Sequence, residues 1–435
     1  MKILVLTNLY PPHHAGTYDL RCQSVTELLR LRGHSLLVLT SNHGLNTEQR
    51  DEEIHRRLLL NGAYGHPRVA GLRELQKLEE RNHRVLSEAI AEFQPDLVYV
   101  WSLRGLSKAL IFALRHSRLP VVYDIADRWL ADEVREDPWL RWWNAPGTNL
   151  TRSSLELAGQ RNRLDAVAPT RMMKGIDRIP EVYGRPEIVA NVQADSITAF
   201  RLDRLYFCSR ALKQATEQAG FHVSHGEVIY PGIPTEHFVG DVKPATVPLK
   251  KFLVVSRLDE SSGVMTAVQA MLHARQNKAL AALSIYGRGE SDYISQLRSF
   301  IVQNSLPVEY LTVSNQNRDL AAIYRQHDAL LYTAECEEPF ATVPLEAMAC
   351  GLPVIGAYIG GARELFRHGE NAFTYTPGDA VELASRIQEL QMQPALRCQM
   401  AETAQAESQS KYNQTTVVDQ IENYMNATLE VWQRS

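Results

Sequence analysis

The chain alternates short apolar runs with longer stretches whose apolar residues recur every three or four positions, and that alternation leaves few folds open to it. A four-residue run with no charged member suits a strand buried on both faces. Parallel strands of that kind need a crossover of a dozen or more residues, usually a helix, to bring the chain back to the same edge. Ile3 to Leu6, Leu36 to Leu39, Leu97 to Val100, Val121 to Tyr123, Leu205 to Cys208 and Val228 to Tyr230 read as such strands. Between them lie a helix carrying Leu20, Val25, Leu28 and Leu29 that ends at Gly33, a charged helix from Arg73 to Phe93 that stops before Pro95, and one from about Leu106 to Arg115. A second series starts at Phe252 to Val255 and continues with Leu283 to Tyr286, Val308 to Val313, Ala329 to Tyr332 and Pro353 to Ile355. The expected class is α/β, with doubly wound, mostly parallel sheets.

At 435 residues the chain is longer than one hydrophobic core usually supports, so the two series are read as two domains. The first spans 1–240 and the second 251–414, joined by 241–250, where Pro244 and Pro248 interrupt any apolar period. A last amphipathic helix in 415–435 is expected to pack back toward the first domain. Doubly wound sheets take ligands beyond the carboxyl ends of their strands. Two such domains facing a central cleft therefore suggest one substrate on each.

Bulk properties narrow the function classes. A net charge of -4 argues against a nucleic-acid partner, which demands many phosphate-neutralising side chains. The five cysteines are scattered with no C-x-x-C pair, so they read as reduced packing residues. No H-E-x-x-H occurs and His13-His14 is the only adjacent histidine pair, so no metal site is expected. The apolar start is broken at Thr7-Asn8, too early for a signal peptide, and no stretch reaches the length of a membrane span. The expected location is the cytoplasm.

The most informative stretch runs from Glu338 to Ile355. Its two glutamates, Glu338 and Glu346, stand eight residues apart, the first before a helix and the second inside it. Ala341 to Ala349 holds good helix formers, Gly351 suits the position just past a helix end, and Pro353 forbids continuation. The start of such a helix presents free N–H groups and the positive end of its dipole, a natural seat for a diphosphate. A carboxylate one or two turns in offers two acceptor oxygens to a ribose, and one in the preceding loop can grip sugar hydroxyls. The plain alternative is a solvated pair flanking an ordinary helix.

This segment resembles the E-x7-E region of retaining glycosyltransferases of family 4, which have the GT-B fold of two Rossmann-like domains. Further resemblances follow in the same order along the chain. Pro11 to Gly16 is similar to the glycine loop near the donor phosphates, Val228 to Ile233 to the segment closing the first domain, and Val255-Ser256-Arg257-Leu258 to the first strand of the second domain with its diphosphate arginine. Tyr286-Gly287-Arg288-Gly289 resembles the G-x-G turn, Gly360 to Leu365 the G-G-x-x-E turn, and His368 to Phe373 the loop after it.

The resemblance implies that 1–240 binds the acceptor and 251–414 the nucleotide-sugar donor. Glu338 would hold sugar hydroxyls, Phe340, Ala341 and Thr342 would offer backbone amides, Glu346 would bind the ribose, and Arg257 would neutralise the leaving diphosphate. Gly16, Ser262, Gly287 and Arg288 would line the same donor site. A surface salt bridge is the plain alternative for Arg257, and a solvated loop position for Arg288. The implied reaction moves a sugar from a nucleoside-diphosphate sugar to a hydroxyl of a polysaccharide, lipid-linked or small-molecule glycan, with no cofactor beyond that co-substrate.

Four positions depart from the family pattern. Ser262 stands where a lysine is usual, Ala341 where a glycine is usual, Gly16-Thr17 where two glycines are usual, and Ala126 where a histidine is usual. Asp127, next to the last of these, is read equally as a catalytic or orienting residue and as a helix cap. The departures keep open a non-catalytic sugar-nucleotide-binding or scaffold relative, and a nucleotide-sugar epimerase on the same architecture. Trp129, Trp139, Trp142 and Trp143, with Arg128, Arg135 and Arg141, suit an acceptor platform or a peripheral membrane contact, though core packing is the favoured reading. The stretch Arg73 to Arg84 reads as a solvated face, and Cys336 as packing.

Overall fold

A computed structural model describes residues 1–69, 71–134, 136–140, 202, 204–276, 281–312 and 320–434. They fall into two compact units, Met1–Ile229 with Val418–Ser435, and Tyr230–Val417.

In the first unit the apolar runs become strands β1 (Lys2–Leu6), β2 (Ser35–Ser41), β5 (Leu97–Val100), β6 (Val121–Ile125) and β7 (Leu205–Phe207), with the short strands β3 (Gln49–Arg50), β4 (Ile54–Leu58) and β8 (Glu227–Val228). The sheet order among described residues is β3-β4-β2-β1-β5-β6-β7-β8, and every pairing except the β3–β4 edge is parallel. Ile3, Leu4, Val5 and Leu6 are wholly buried, as a strand covered on both faces requires. The helices include α1 (Thr17–Leu31), α2 (Leu72–Phe93), α3 (Leu110–His116) and α4 (Arg210–Gln218). A single π-helical turn, Trp129–Glu133, follows β6.

The second unit has strands β9 (Lys251–Val255), β10 (Ala282–Gly287), β11 (Val308–Thr312), β12 (Ala329–Tyr332), β13 (Val354–Ala357) and β14 (Phe373–Tyr375). All pairings are parallel, in the order β11-β10-β9-β12-β13-β14. Its helices include α5 (Val264–Gln276), α6 (Ser291–Gln303), α7 (Leu320–Arg325), α8 (Thr342–Ala349), α9 (Ala362–Leu365), α10 (Ala380–Met392) and α11 (Pro394–Lys411). The chain then runs into α12 (Gln414–Arg434), whose residues from Val418 onward belong to the first unit. There Tyr424 donates to the Leu205 carbonyl at 2.9 Å, and Glu422 receives Arg32 at 2.7 Å and His34 at 2.9 Å.

The division between units falls at Ile229, earlier than the expected 240. The Ile233 N–H bonds the Tyr412 carbonyl at 2.8 Å and the Gln414 N–H bonds the Ile233 carbonyl at 2.9 Å, which stitches this segment to the second unit. Nor is 241–250 a free linker. Lys243 pairs with Asp328 at 2.6 Å, and Arg397 donates to the Pro244, Ala245 and Val247 carbonyls.

The solvated face expected over Arg73 to Arg84 is partly core: Glu79, Asn82 and His83 are buried. Asn82 donates to the Leu59 carbonyl at 2.9 Å and accepts its N–H at 2.8 Å, so α2 continues the edge left where β4 ends. Trp129 and Trp139 are fully buried in the first unit, while Trp142, Trp143, Arg135 and Arg141 lie outside the described residues. No helix among the described residues is long and apolar enough to cross a membrane.

Candidate functional site

In the second unit the strand order reverses between β9 and β12, the point at which open parallel sheets leave a crevice beyond their strand ends. The loops leaving these two strands carry Arg257 and Glu338. Backbone contacts join them: Thr333 donates through its hydroxyl to the Ser262 carbonyl at 2.8 Å, and the Glu335 N–H bonds the Ser261 carbonyl at 3.0 Å. Gly263 makes this approach possible. Its φ is +64°, and a Cβ there would lie 1.8 Å from the Thr333 carbonyl oxygen. The β10 loop joins the same cluster, where the Leu258 N–H bonds the Arg288 carbonyl at 2.8 Å and a Cβ at Gly287 would lie 1.9 Å from the Ser256 carbonyl oxygen. On the far side, the Gly361 N–H bonds the Glu338 carbonyl at 2.9 Å and leaves no room for a side chain against Pro339. Arg257, Gly287, Arg288, Ser262 and Glu338 are thereby brought into one loop cluster.

The two glutamates are held alike. Glu338 accepts the Tyr332 hydroxyl at 2.6 Å, and Glu346 accepts the Tyr324 hydroxyl at 2.7 Å. Burial raises the pKa of Glu338, with the Tyr332 bond and then the Arg257 charge pulling it back and Asp259 adding to the rise. Glu346 sits on α8 among buried Pro344, Leu345, Ala347, Met348 and Ala349, and burial pushes its pKa up to about 7 against the single restraining bond from Tyr324. The start of α8 has no side-chain cap, so its first N–H groups take no acceptor from the cap residue. Ala341, at the cap position, has φ -96° and is buried, so alanine sits there without backbone strain. Phe340 packs its ring 5.5 Å from Tyr230, whose hydroxyl donates to Glu364 of the G-G-x-x-E turn at 2.9 Å. The side chain of Arg257 is 78% exposed, with Asp259 at 3.8 Å. Ser262 is buried and its hydroxyl donates to the Asp259 carbonyl at 2.5 Å, so it supplies no charge to the crevice.

Gly16 and Asp127 lie in the first unit. Gly16 precedes α1 in an extended conformation, and its N–H and that of Ala15 bond the Asp19 carboxylate at 3.3 and 2.9 Å. A Cβ at Gly16 would meet nothing within 4 Å. Asp127 accepts the Trp129 N–H at 3.0 Å and Arg104 at 3.2 Å, so its carboxylate fixes the turn after β6. The neighbouring Asp124 is wholly buried, ion-paired with Arg21 and bonded by Tyr206 at 2.9 Å, with the Arg21 guanidinium stacked 4.8 Å from the Trp101 ring. Neither this network nor Tyr324 and Tyr332 is foreseen by motif reading. The one signal for them is a tyrosine ending or adjoining an otherwise apolar element, which needs a partner for its hydroxyl. Among the described residues, no three His, Cys, Asp or Glu side chains are grouped to hold a metal ion.

Two Rossmann-like domains, the second with its candidate site at the switch point, give the GT-B fold. The same two-unit architecture extends along nearly the whole of several solved structures. One is an Anabaena protein in complex with UDP-glucose (21% identical, TM-score 0.63, covering 98% of this chain and 100% of that one). Another is a sucrose-phosphate synthase from Thermosynechococcus elongatus (15% identical, TM-score 0.66, covering 100% of each). Residues 242–407 match the family described as glycosyl transferases group 1. Among curated relatives, a glycogen synthase of Mycobacterium tuberculosis is 29% identical over 220 residues, 49% of this chain and 52% of that protein. The human alpha-1,3/1,6-mannosyltransferase ALG2 is 26% identical over 222 residues, 47% of this chain and 53% of that protein. The chain thus spans about half the length of these curated relatives.

Proposed function

We propose that the chain is a retaining, metal-independent glycosyltransferase of family-4 type, which moves a hexose-like unit from a nucleoside-diphosphate sugar to a hydroxyl of a glycan or lipid-linked acceptor. The observation that carries the reading is the pair Glu338 and Glu346, each held by one tyrosine, beside Arg257 and the uncapped start of α8 at the switch point of the second unit. In this reading Glu346 binds the ribose, Glu338 grips the sugar, and the α8 amides and Arg257 stabilise the departing diphosphate. No side-chain base is required if a donor phosphate oxygen takes the acceptor proton on the face the diphosphate leaves. Catalysis then rests on positioning and on charge stabilisation. Support for a nucleotide-sugar donor comes from the Anabaena neighbours of this fold, which hold UDP or UDP-glucose.

In this reading the acceptor binds the first unit. A cavity of about 260 Å³ lies there beyond the ends of β4, β5 and β6, lined in part by Asn61, Glu79, Lys108, Glu133 and Asp137. The proposed setting is the cytoplasm, with contact to a membrane surface where the acceptor is lipid-linked.

The test is thermal denaturation against UDP, GDP, ADP, dTDP and their sugar conjugates, with Glu346→Ala alongside. A ligand at a hundred times its dissociation constant should stabilise by about 2.7 kcal/mol. A shift confined to one nucleotide and lost in the variant supports the reading; no shift with any of them sinks it. Ser262 favours one second reading, a relative that binds donor without turnover, because its hydroxyl is engaged by the Asp259 carbonyl and a serine carries no charge where the family usually has a lysine. Donor binding with no sugar released or transferred in any acceptor mixture would select it.

A further inference from the structure

We infer that Tyr324 and Tyr332 are the positioning residues of the donor site, each holding one oxygen of a glutamate and leaving the other for the ligand. The inference rests on the proposed nucleotide-sugar reading and specifies which residues set that site's geometry. Tyr324 donates to Oε2 of Glu346 at 2.7 Å and Tyr332 to Oε2 of Glu338 at 2.6 Å. Among the described residues no other hydrogen bond reaches either carboxylate, and neither Oε1 is a buried orphan, so each keeps an accessible acceptor oxygen.

The tyrosines suit this task because they are themselves fixed. Tyr324 on α7 is 0% exposed with its ring edge-on to Phe238 at 6.1 Å, and Tyr332 at the end of β12 is 7% exposed with its ring edge-on to Phe366 at 5.9 Å. A free glutamate side chain loses rotamer freedom on binding, whereas one already tethered to a locked ring loses little. A neutral donor has a second advantage. Lysine or arginine in its place would cancel the carboxylate charge, while a hydroxyl orients the group and leaves it a strong acceptor for ligand hydroxyls. The two tethers serve different ends of the donor: Tyr324 acts through Glu346 on the nucleoside, and Tyr332 acts through Glu338 on the sugar.

Tyr324→Phe and Tyr332→Phe each delete one oxygen and keep the packed ring. On the full chain, calorimetric titration would use UDP, GDP and ADP and the glucose conjugate of whichever one binds, between pH 6 and 8. Tyr324→Phe should weaken the nucleoside diphosphate about tenfold or more. It should also move the acid limb of binding toward higher pH, since the lost bond is the one that restrains the raised Glu346 pKa. Tyr332→Phe should leave nucleoside-diphosphate affinity within about twofold while losing the increment that glucose adds, since its glutamate faces the sugar. General damage to packing would weaken both ligands together without that split. If wild type binds and the variants match it at every pH, or lose both ligands equally, the inference fails and the functional reading stands. If wild type binds none of the nucleotides, both fail.

Discussion

Arg257 and Glu346 show how differently two residues of one site meet the solvent. Arg257 is largely exposed with a long contact to Asp259, so it contributes little to stability, and under the proposed function its charge serves the diphosphate. Arg257→Ala should therefore leave the melting temperature within a degree or two while lowering kcat about a hundredfold, the scale of losing one oxyanion donor. Glu346 is the converse. Its folded pKa of about 7 lies above the ordinary carboxylate value, so the native state binds the proton more tightly than the unfolded chain. Stability from this group is present below about pH 4.5 and is lost as pH rises through 7. At 1.36 kcal/mol per pKa unit the cost at pH 8 is on the order of 3 kcal/mol. Glu346→Gln should recover part of that at pH 8 and nothing at pH 4, by chemical denaturation at the two values. Under the proposed function donor binding runs the other way, since the ionised carboxylate is the better acceptor for a ribose.

At the scale of elements, the site depends on loops pressed closer together than side chains allow. Gly263 ends the turn after β9 in the left-handed region, facing the Thr333 carbonyl that leaves β12. Gly263→Ala meets both a strained φ and a backbone clash, and should destabilise the protein by more than about 2 kcal/mol. Loss of the nucleotide-induced thermal shift should accompany it, because Arg257 and Glu338 ride on the two loops that would separate. A wild-type melting curve for this variant would mean that the loops have slack. Motif reading singled out Gly287 and the Gly360-Gly361 pair but passed over Gly263, which follows the departure at Ser262. What marks it is the contact of its turn with a loop some seventy residues on, which no local pattern records.

For the whole molecule, the final helix is the element whose partner is farthest away in sequence. Deleting the chain from Val418 onward removes the Tyr424 bond to Leu205 and the pairs of Glu422 with Arg32 and His34. It also exposes the Tyr206 ring, which Tyr424 meets edge-on at 5.6 Å. The melting temperature should fall by roughly 5 °C or more, and an unchanged value would show that the first unit does not need this helix. The α/β class, the two Rossmann-like domains, the positions of the long strands and the E-x7-E segment were legible in the residues themselves, because burial on both faces and helical crossovers impose periodicities that any such chain must carry. The strands β4 and β14 were not: β4 carries His55, Arg56 and Arg57 between its apolar ends, and β14 has only three residues, so neither shows an apolar run and each is defined by the neighbour it pairs with. Nor were the ends of the units, where Ile233 and Arg397 strap onto the second unit a segment whose prolines read as a linker. The glutamates could be found by spacing, but only tertiary structure supplied Tyr324 and Tyr332 and the buried Arg21–Asp124 pair, because a hydrogen bond is decided by where two side chains meet in space and spacing along the chain does not report that.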